Sequence, residues 1–179
     1  MSLSKEEDFT IEDIYALPEG QRAELVKGQL YKMAPPGRLH QDLAGRLYGT
    51  ILNYINAHNG TCRPYIAPFA VFLNENTSYV EPDISVIFDL NKLDDHGCHG
   101  APDLIIEVVS PGSKRMDYYT KLVLYRDAGV KEYWIADPAK ETVLVYLMAE
   151  NEAPTIYRFT DPVPAGILKG LNICIKELL

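Results

Sequence analysis

The chain has 179 residues, with 17 Lys and Arg against 25 Asp and Glu, a net charge of −8, and 47% apolar side chains; this composition excludes a disordered or fibrous chain and argues against a protein that coats nucleic acid by bulk charge. Its longest apolar run, Val143 to Ala149, is seven residues, where a membrane span needs about 18, so no membrane partner is expected. Three scattered cysteines, Cys62, Cys98 and Cys174, suit a reducing compartment, and the expected location is cytoplasmic.

Length predicts one domain, residues 10–179, behind a flexible N-terminus over residues 1–9 that begins Met1-Ser2-Leu3. Thr10 followed by Asp13 resembles a capping box for a short helix through Ala16, stopped by Pro18. Glu24-Leu25-Val26 and Gln29 to Met33 flank the turn Lys27-Gly28 and predict an N-terminal hairpin. From His40 to His58, Leu43, Leu47, Ile51 and Ile55 recur every four positions, the clearest helix in the chain, with Gly60 beyond it as a stop. Cys62 to Ile66 and Phe69 to Leu73 read as strands and Asn74 to Ser78 as a polar turn.

Ile84 to Phe88 and Leu104 to Ser110 are almost continuously apolar, the pattern of strands covered on both faces. Pro111-Gly112-Ser113 breaks the second, a helix follows from Lys114 to Ala128 with Gly129 as its stop, and a strand runs from Tyr133 to Ala136. Strand, helix, strand in this space is a right-handed crossover placing Glu107 and the next strand in one sheet. Thr142 to Met148 and Ile156 to Phe159 predict an outer hairpin, and Ala165 to Leu179 a last strand and tail. The fold class is therefore α/β, with a mixed central β-sheet flanked by helices.

Within Leu104-Ile105-Ile106-Glu107-Val108-Val109 the carboxylate of Glu107 must find a cation or hydrogen bonds, because burying it alone costs several kcal/mol. A metal ion and a neighbouring Lys or Arg are equally good partners on this pattern. Lys121 lies on the following helix, in one stripe with Asp117 and Tyr125 at four-residue spacing. Asp94-Asp95-His96-Gly97-Cys98-His99-Gly100 crowds potential ligands together, but lacks the two spaced pairs of a structural zinc site and reads as a polar loop bordering the cleft.

Pro82-Asp83, then Glu107-Val108-Val109-Ser110-Pro111, then Lys121, Tyr125, Gly129-Val130 and Glu132-Tyr133-Trp134 together resemble the restriction endonuclease-like family of the PD-(D/E)xK nuclease superfamily, from about Thr10 to the C-terminus. The superfamily's lysine normally stands two residues after the acid, where this chain has Val109; the resemblance implies that the lysine has migrated to the following helix as Lys121. It further implies that Asp83 and Glu107, with the main-chain carbonyl of Val108, hold Mg²⁺, for which Mn²⁺ can substitute. Glu24 would be the additional N-terminal acid, completing the metal site or acting on water. Its plain alternative is an exposed strand residue. The implied activity is metal-assisted hydrolysis of DNA phosphodiester bonds.

Arg38, His40, Lys114, Arg115 and Tyr125 are the candidate nucleic-acid contacts, with Arg46 beside them, although most such charges are ordinary solvated ones. His40 has a second reading as a helix cap. Twelve tyrosines, several on apolar periodic positions, point to association, and a homodimer would let two sites address two strands. Two competing readings remain: a catalytically inactive nuclease-fold module that binds DNA or protein, and a metal-dependent hydrolase of another phosphoester.

Overall fold

Short apolar runs separated by Gly and Pro make strands rather than long helices, and the computed structural model is built mostly of them. It describes residues 8–74, 76–150 and 153–179; the expected flexible N-terminus, with Met1-Ser2-Leu3, falls outside the described residues except for residues 8 and 9.

Helix α1 (Ile11–Tyr15) begins where the Thr10 amide donates to the Asp13 carboxylate, 2.8 Å. Strands β1 (Ala23–Val26) and β2 (Gln29–Lys32) form the expected hairpin, and both turn residues, Lys27 and Gly28, have positive φ, 48° and 82°, the twist-matching geometry that Gly accepts at no cost. Helix α2 (Arg38–Ala57) buries Leu43, Ala44, Leu47, Ile51 and Ile55 along one stripe. Then come β3 (Arg63–Ile66), β4 (Val71–Asn74), β5 (Ser78–Val80), β6 (Ile84–Ile87), β7 (Leu93–Asp94), β8 (Gly97–His99) and β9 (Leu104–Val108). After β9 the chain makes a wide π-helical turn over Met116–Thr120 and enters α3 (Lys121–Ala128), which ends at Gly129 with φ 92°. Strands β10 (Glu132–Asp137), β11 (Thr142–Leu147), β12 (Thr155–Arg158), β13 (Pro162–Pro164) and β14 (Asn172–Cys174) and the terminal turn α4 (Ile175–Leu178) complete it.

The central sheet has the order β12-β11-β10-β9-β6-β3, with β9 and β10 parallel as the crossover requires and the other neighbours antiparallel. One face, carrying Ile84, Val86, Leu104, Ile106, Val108, Trp134 and Ala136, packs on the α2 stripe and on the C-terminal segment through Ile173 and Ile175. The other face, carrying Ile87, Ile105, Ile135 and Tyr133, packs on Leu124 and Tyr125 of α3 and on Val26, Val71 and Val80. Each fully buried branched side chain contributes about 1.5–3 kcal/mol here.

The hairpin does not stand alone. It belongs to a second sheet of order β2-β1-β5-β4-β8-β7, covered on its outer side by α1 through Ile11, Leu25, Phe72 and Tyr79. Two corrections to the sequence reading follow. Part of the stretch read as a polar turn, Asn74 to Ser78, is the end of β4 and the start of β5, residue 75 lying outside the described residues. The Asp94–Gly100 cluster is the β7–β8 hairpin, docked in parallel on β4 through Val71 and Cys98. Neither strand is long enough to display a period of two, which is why only tertiary pairing reveals them.

Candidate active site

The chain crosses from the second sheet to the central one between β5 and β6, at Glu81-Pro82-Asp83. Pro82 has no N–H to offer a ladder, which suits the point where a strand leaves one sheet and enters another. The antiparallel register of β6 on β9 pairs Ile84 with Ile106, so one step further Asp83 stands opposite Glu107. The Val108 amide donates to Asp83 Oδ2 at 2.8 Å, and the Asp83 amide reaches Glu107 Oε2 at 3.4 Å. Pairing of Leu25 with Tyr79 brings β1 alongside, and the Glu81 amide donates to Glu24 Oε1 at 3.0 Å. Three acids distant in sequence thus meet at the seam between two sheets.

Helix α3 closes the seam from the second face. The Lys121 ammonium lies 2.8 Å from Glu107 Oε1 and 2.9 Å from Glu24 Oε1, and the Tyr125 hydroxyl donates to the same Glu107 oxygen at 2.6 Å. Lys121, Glu24 and Glu107 are only 4%, 4% and 3% exposed. Tyr133 packs edge-on against Tyr125, ring centroids 5.0 Å apart, and its hydroxyl donates to the Asp117 carbonyl at 2.9 Å. The wide turn before α3 directs Asp117 inward as well, where it is buried and accepts from the Ser113 hydroxyl.

Four carboxylates, Glu24, Asp83, Glu107 and Asp117, therefore face one lysine and one histidine. Burial alone would push the Lys121 ammonium down, but Glu107, Glu24 and Asp117 hold it well above its ordinary value, so it stays charged. Burial pushes the Glu107 carboxyl up; Lys121 opposes this, while Asp83, Asp117 and Glu24 reinforce it. Asp117 is pushed up to about 6, again first by burial, against the pull of Lys121 and Ser113.

His40 sits in the first turn of α2 with its ring turned onto Asp83, Nε2 lying 3.1 Å from Oδ2. Burial favours the neutral ring, but the hydrogen bond to Asp83 and that carboxylate's charge outweigh it and raise the imidazole above its ordinary value, with the Val108 carbonyl adding to the effect. Of the other expected nucleic-acid contacts, Arg38, Lys114 and Arg115 are exposed. Arg38 spends its guanidinium on an exposed pair with Asp42, 2.9 Å, worth at most about 1 kcal/mol. Arg46 is exposed too. Tyr125 is a correction: it is wholly buried with its hydroxyl on Glu107, and has no face to offer a nucleic acid.

Three residues at or beside the site, Glu81, Arg22 and Asp117, have no role that the sequence alone assigns. Glu81 directs its carboxylate away from the acids, to the Arg22 guanidinium (Nε 2.9 Å) and the Tyr79 hydroxyl (2.7 Å); its adjacency to Pro82-Asp83 was the available signal, whereas Arg22 offered none. Asp117 was visible in the stripe with Lys121 but carried no role. The β7–β8 turn, with Asp94, Asp95 and His96, walls a cavity of about 340 Å³ together with Tyr79 and Glu81, and His99 bonds Asp94 at 3.0 Å.

The donor set fits a hard divalent cation by its chemistry. Asp83 Oδ1 and Glu24 Oε2 have no hydrogen-bond donor among the described residues, and Glu107 Oε2 has only the long amide contact at 3.4 Å. No three His, Cys, Asp or Glu side chains converge in metal-holding geometry among the described residues.

Over residues 11–173 the chain matches the model of the family Uma2, described as "Putative restriction endonuclease". Among solved structures it is similar to a "putative nuclease belonging to DUF820" from Anabaena variabilis, with a TM-score of 0.78 and 20% identity over 95% of this chain and 97% of that chain. That likeness shows the fold: the arrangement of sheets and few helices described above is restriction endonuclease-like. No curated protein matches the chain.

Proposed function

The chain belongs to the Uma2 family of restriction endonuclease-like proteins, and from that premise we propose that it is a metal-dependent endonuclease hydrolysing DNA phosphodiester bonds, working in the cytoplasm as one domain over residues 10–179. The observation that carries the reading is the placement of Asp83 opposite Glu107 at the seam of two sheets, with the buried ammonium of Lys121 between Glu107 and Glu24.

Asp83 and Glu107, with the Val108 carbonyl, would hold Mg²⁺ or Mn²⁺. Bound there, such an ion supplies Lewis acidity toward the scissile phosphate and makes water acidic enough to attack at neutral pH. Lys121, reached from α3 instead of from β9, would take the part of the superfamily's lysine, its ammonium offsetting the charge that grows on the phosphate in the transition state. Glu24, with its second carboxylate oxygen free of donors among the described residues, accepts the proton of the attacking water. Tyr125 fixes the orientation of Glu107. Arg38, Lys114 and Arg115, on the segments that carry His40 and Asp117, bind backbone phosphates on either side. A homodimer would present two such sites to two strands.

A second reading, a nuclease-fold module that binds without cutting, is favoured by one observation: the shared Glu107 oxygen is already occupied by Lys121 and Tyr125. Incubation of supercoiled plasmid with Mg²⁺ or Mn²⁺ at one fixed salt concentration separates the two. The endonuclease reading expects metal-dependent nicking that disappears in Asp83→Ala, Glu107→Ala and Lys121→Ala. No cleavage of single- or double-stranded DNA by the wild type rejects it in favour of the binding module; cleavage that survives only in Lys121→Ala removes the lysine from the chemistry.

A further inference from the structure

The Asp83 carboxylate is held by two donors on the same oxygen. One is the Val108 amide, 2.8 Å from Oδ2; the other is His40 Nε2, 3.1 Å from it. Both bonds fall on Oδ2, so Oδ1 is the oxygen left for a ligand. His40 is delivered by the first turn of α2, the helix whose apolar stripe packs against β6 and β9 through Leu43, Leu47, Ile84 and Ile106, so the ring is anchored beside the strand that Asp83 leads into. The ring is turned onto Asp83, whereas a helix cap would use it on α2's own amides and a phosphate contact would need it turned outward.

We propose that His40 is a positioning residue: its imidazole pins Oδ2 of Asp83 against the Val108 amide, so that Oδ1 faces the seam in the orientation that divalent-cation capture requires. The inference rests on the nuclease reading for its purpose but not for its geometry. It acts through Asp83, as outer hydrogen-bond partners of carboxylate ligands do, where loss of the partner weakens metal binding about 10–100-fold.

The test compares wild type with His40→Phe, which keeps a ring of similar volume and removes the donor, and with His40→Gln, whose amide restores one. Two quantities are read: hydrogen-exchange protection of the Val108 amide relative to the Val109 amide, whose 2.8 Å bond to the Ala136 carbonyl does not involve Asp83, and Mn²⁺ affinity by calorimetry. The expected result is at least a tenfold relative loss of Val108 protection and a 10–100-fold weaker Mn²⁺ Kd in His40→Phe, with both largely recovered in His40→Gln. Unchanged Val108 protection in His40→Phe overturns the inference, whatever the metal does. A wild type that binds no Mn²⁺ while Val108 protection still responds leaves His40 a merely structural partner of Asp83 and overturns its role in cation capture; the plasmid assay, read separately, decides the nuclease reading. Should His40→Phe fail to fold, His40→Ala is read in the same way.

Discussion

Glu107 and Glu132 lie on adjacent strands of the central sheet, both essentially buried, yet on opposite faces and in opposite states. Glu132 points toward the α2 side, where Oε1 accepts from the Trp134 indole (2.7 Å) and the Gly166 amide (3.1 Å) and Oε2 from the Ile167 amide (2.9 Å). Every donor is neutral, both oxygens are used, and the result is a clamp that ties the loop after β13 to β10. Glu107 points toward α3 and has its bonds concentrated on one oxygen, from an ammonium and a phenol, while the other meets only a stretched amide. Burial of a carboxylate therefore says little by itself. What distinguishes a candidate ligand from a structural clamp is an oxygen left over, in a neighbourhood with more acids than cations.

The sharpest way to break this comparison is to make the same isosteric change on both faces. Glu107→Gln and Asp83→Asn are expected to lower metal-dependent plasmid nicking about 10³-fold or more, the several kcal/mol that cation-assisted attack contributes, without lowering Tm. Glu132→Gln should leave nicking per folded molecule unchanged. Equal losses of activity in Glu107→Gln and Glu132→Gln would mean that the two faces do not differ in kind.

Removing the cation from the α3 face tests the charge balance directly. Lys121→Met leaves Glu24, Glu107 and Asp117 buried without the only ammonium near them among the described residues, and unfolding by urea at pH 7 should show a loss of about 3 kcal/mol. The deficit should shrink as pH falls, because Glu107 and Asp117 already have raised pKa values and take up protons readily. A deficit independent of pH would point to lost packing of the lysine stem instead.

Part of this contrast could be read from the sequence and part could not. A charged residue inside Leu104–Val109 announces a compensated carboxylate, and the four-residue spacing of Asp117, Lys121 and Tyr125 places them on one helix face; both readings need only local periodicity. Which way that face points is a tertiary fact, and here the expectation for Tyr125 went astray: spacing groups side chains but does not tell core from solvent. Arg22, and the joining of the hairpin with β4, β5, β7 and β8 into a second sheet, were invisible for a related reason. Strands of two or three residues such as β7 and β8 carry no period, and their existence depends on what they pair with. Glu132 stands out in the sequence only as part of a motif, since backbone amides thirty-four and thirty-five positions away leave no trace in composition.

On the Glu132 side the predicted cost is smaller. Glu132→Gln replaces one acceptor oxygen with a donor that faces the Trp134 indole or the amides of Gly166 and Ile167, and mismatching a buried bond of this kind costs about 2 kcal/mol. Thermal or urea unfolding reads it, and local exchange at Gly166 and Ile167 should rise first. A neutral outcome would mean that the loop is held by Leu168 and Ala165 in the core rather than by the carboxylate.

The smallest expected effect is the most specific in sign. Asp117 has its pKa raised from 3.8 to about 6 by burial, so the folded chain binds this proton more tightly than the unfolded one. The folding stability that this preference adds is complete below about pH 4 and is lost as pH rises toward and past 6. Asp117→Asn abolishes the titration while keeping the shape and an acceptor for Ser113, so it should be more stable than wild type by about 1–2 kcal/mol at pH 8, with the gain vanishing near pH 4. Paired denaturation curves at the two pH values measure it. A variant less stable at pH 8 would show that the attraction between Asp117 and Lys121 outweighs burial, and would make Asp117 a structural counter-ion of the lysine rather than a strained member of the acidic cluster.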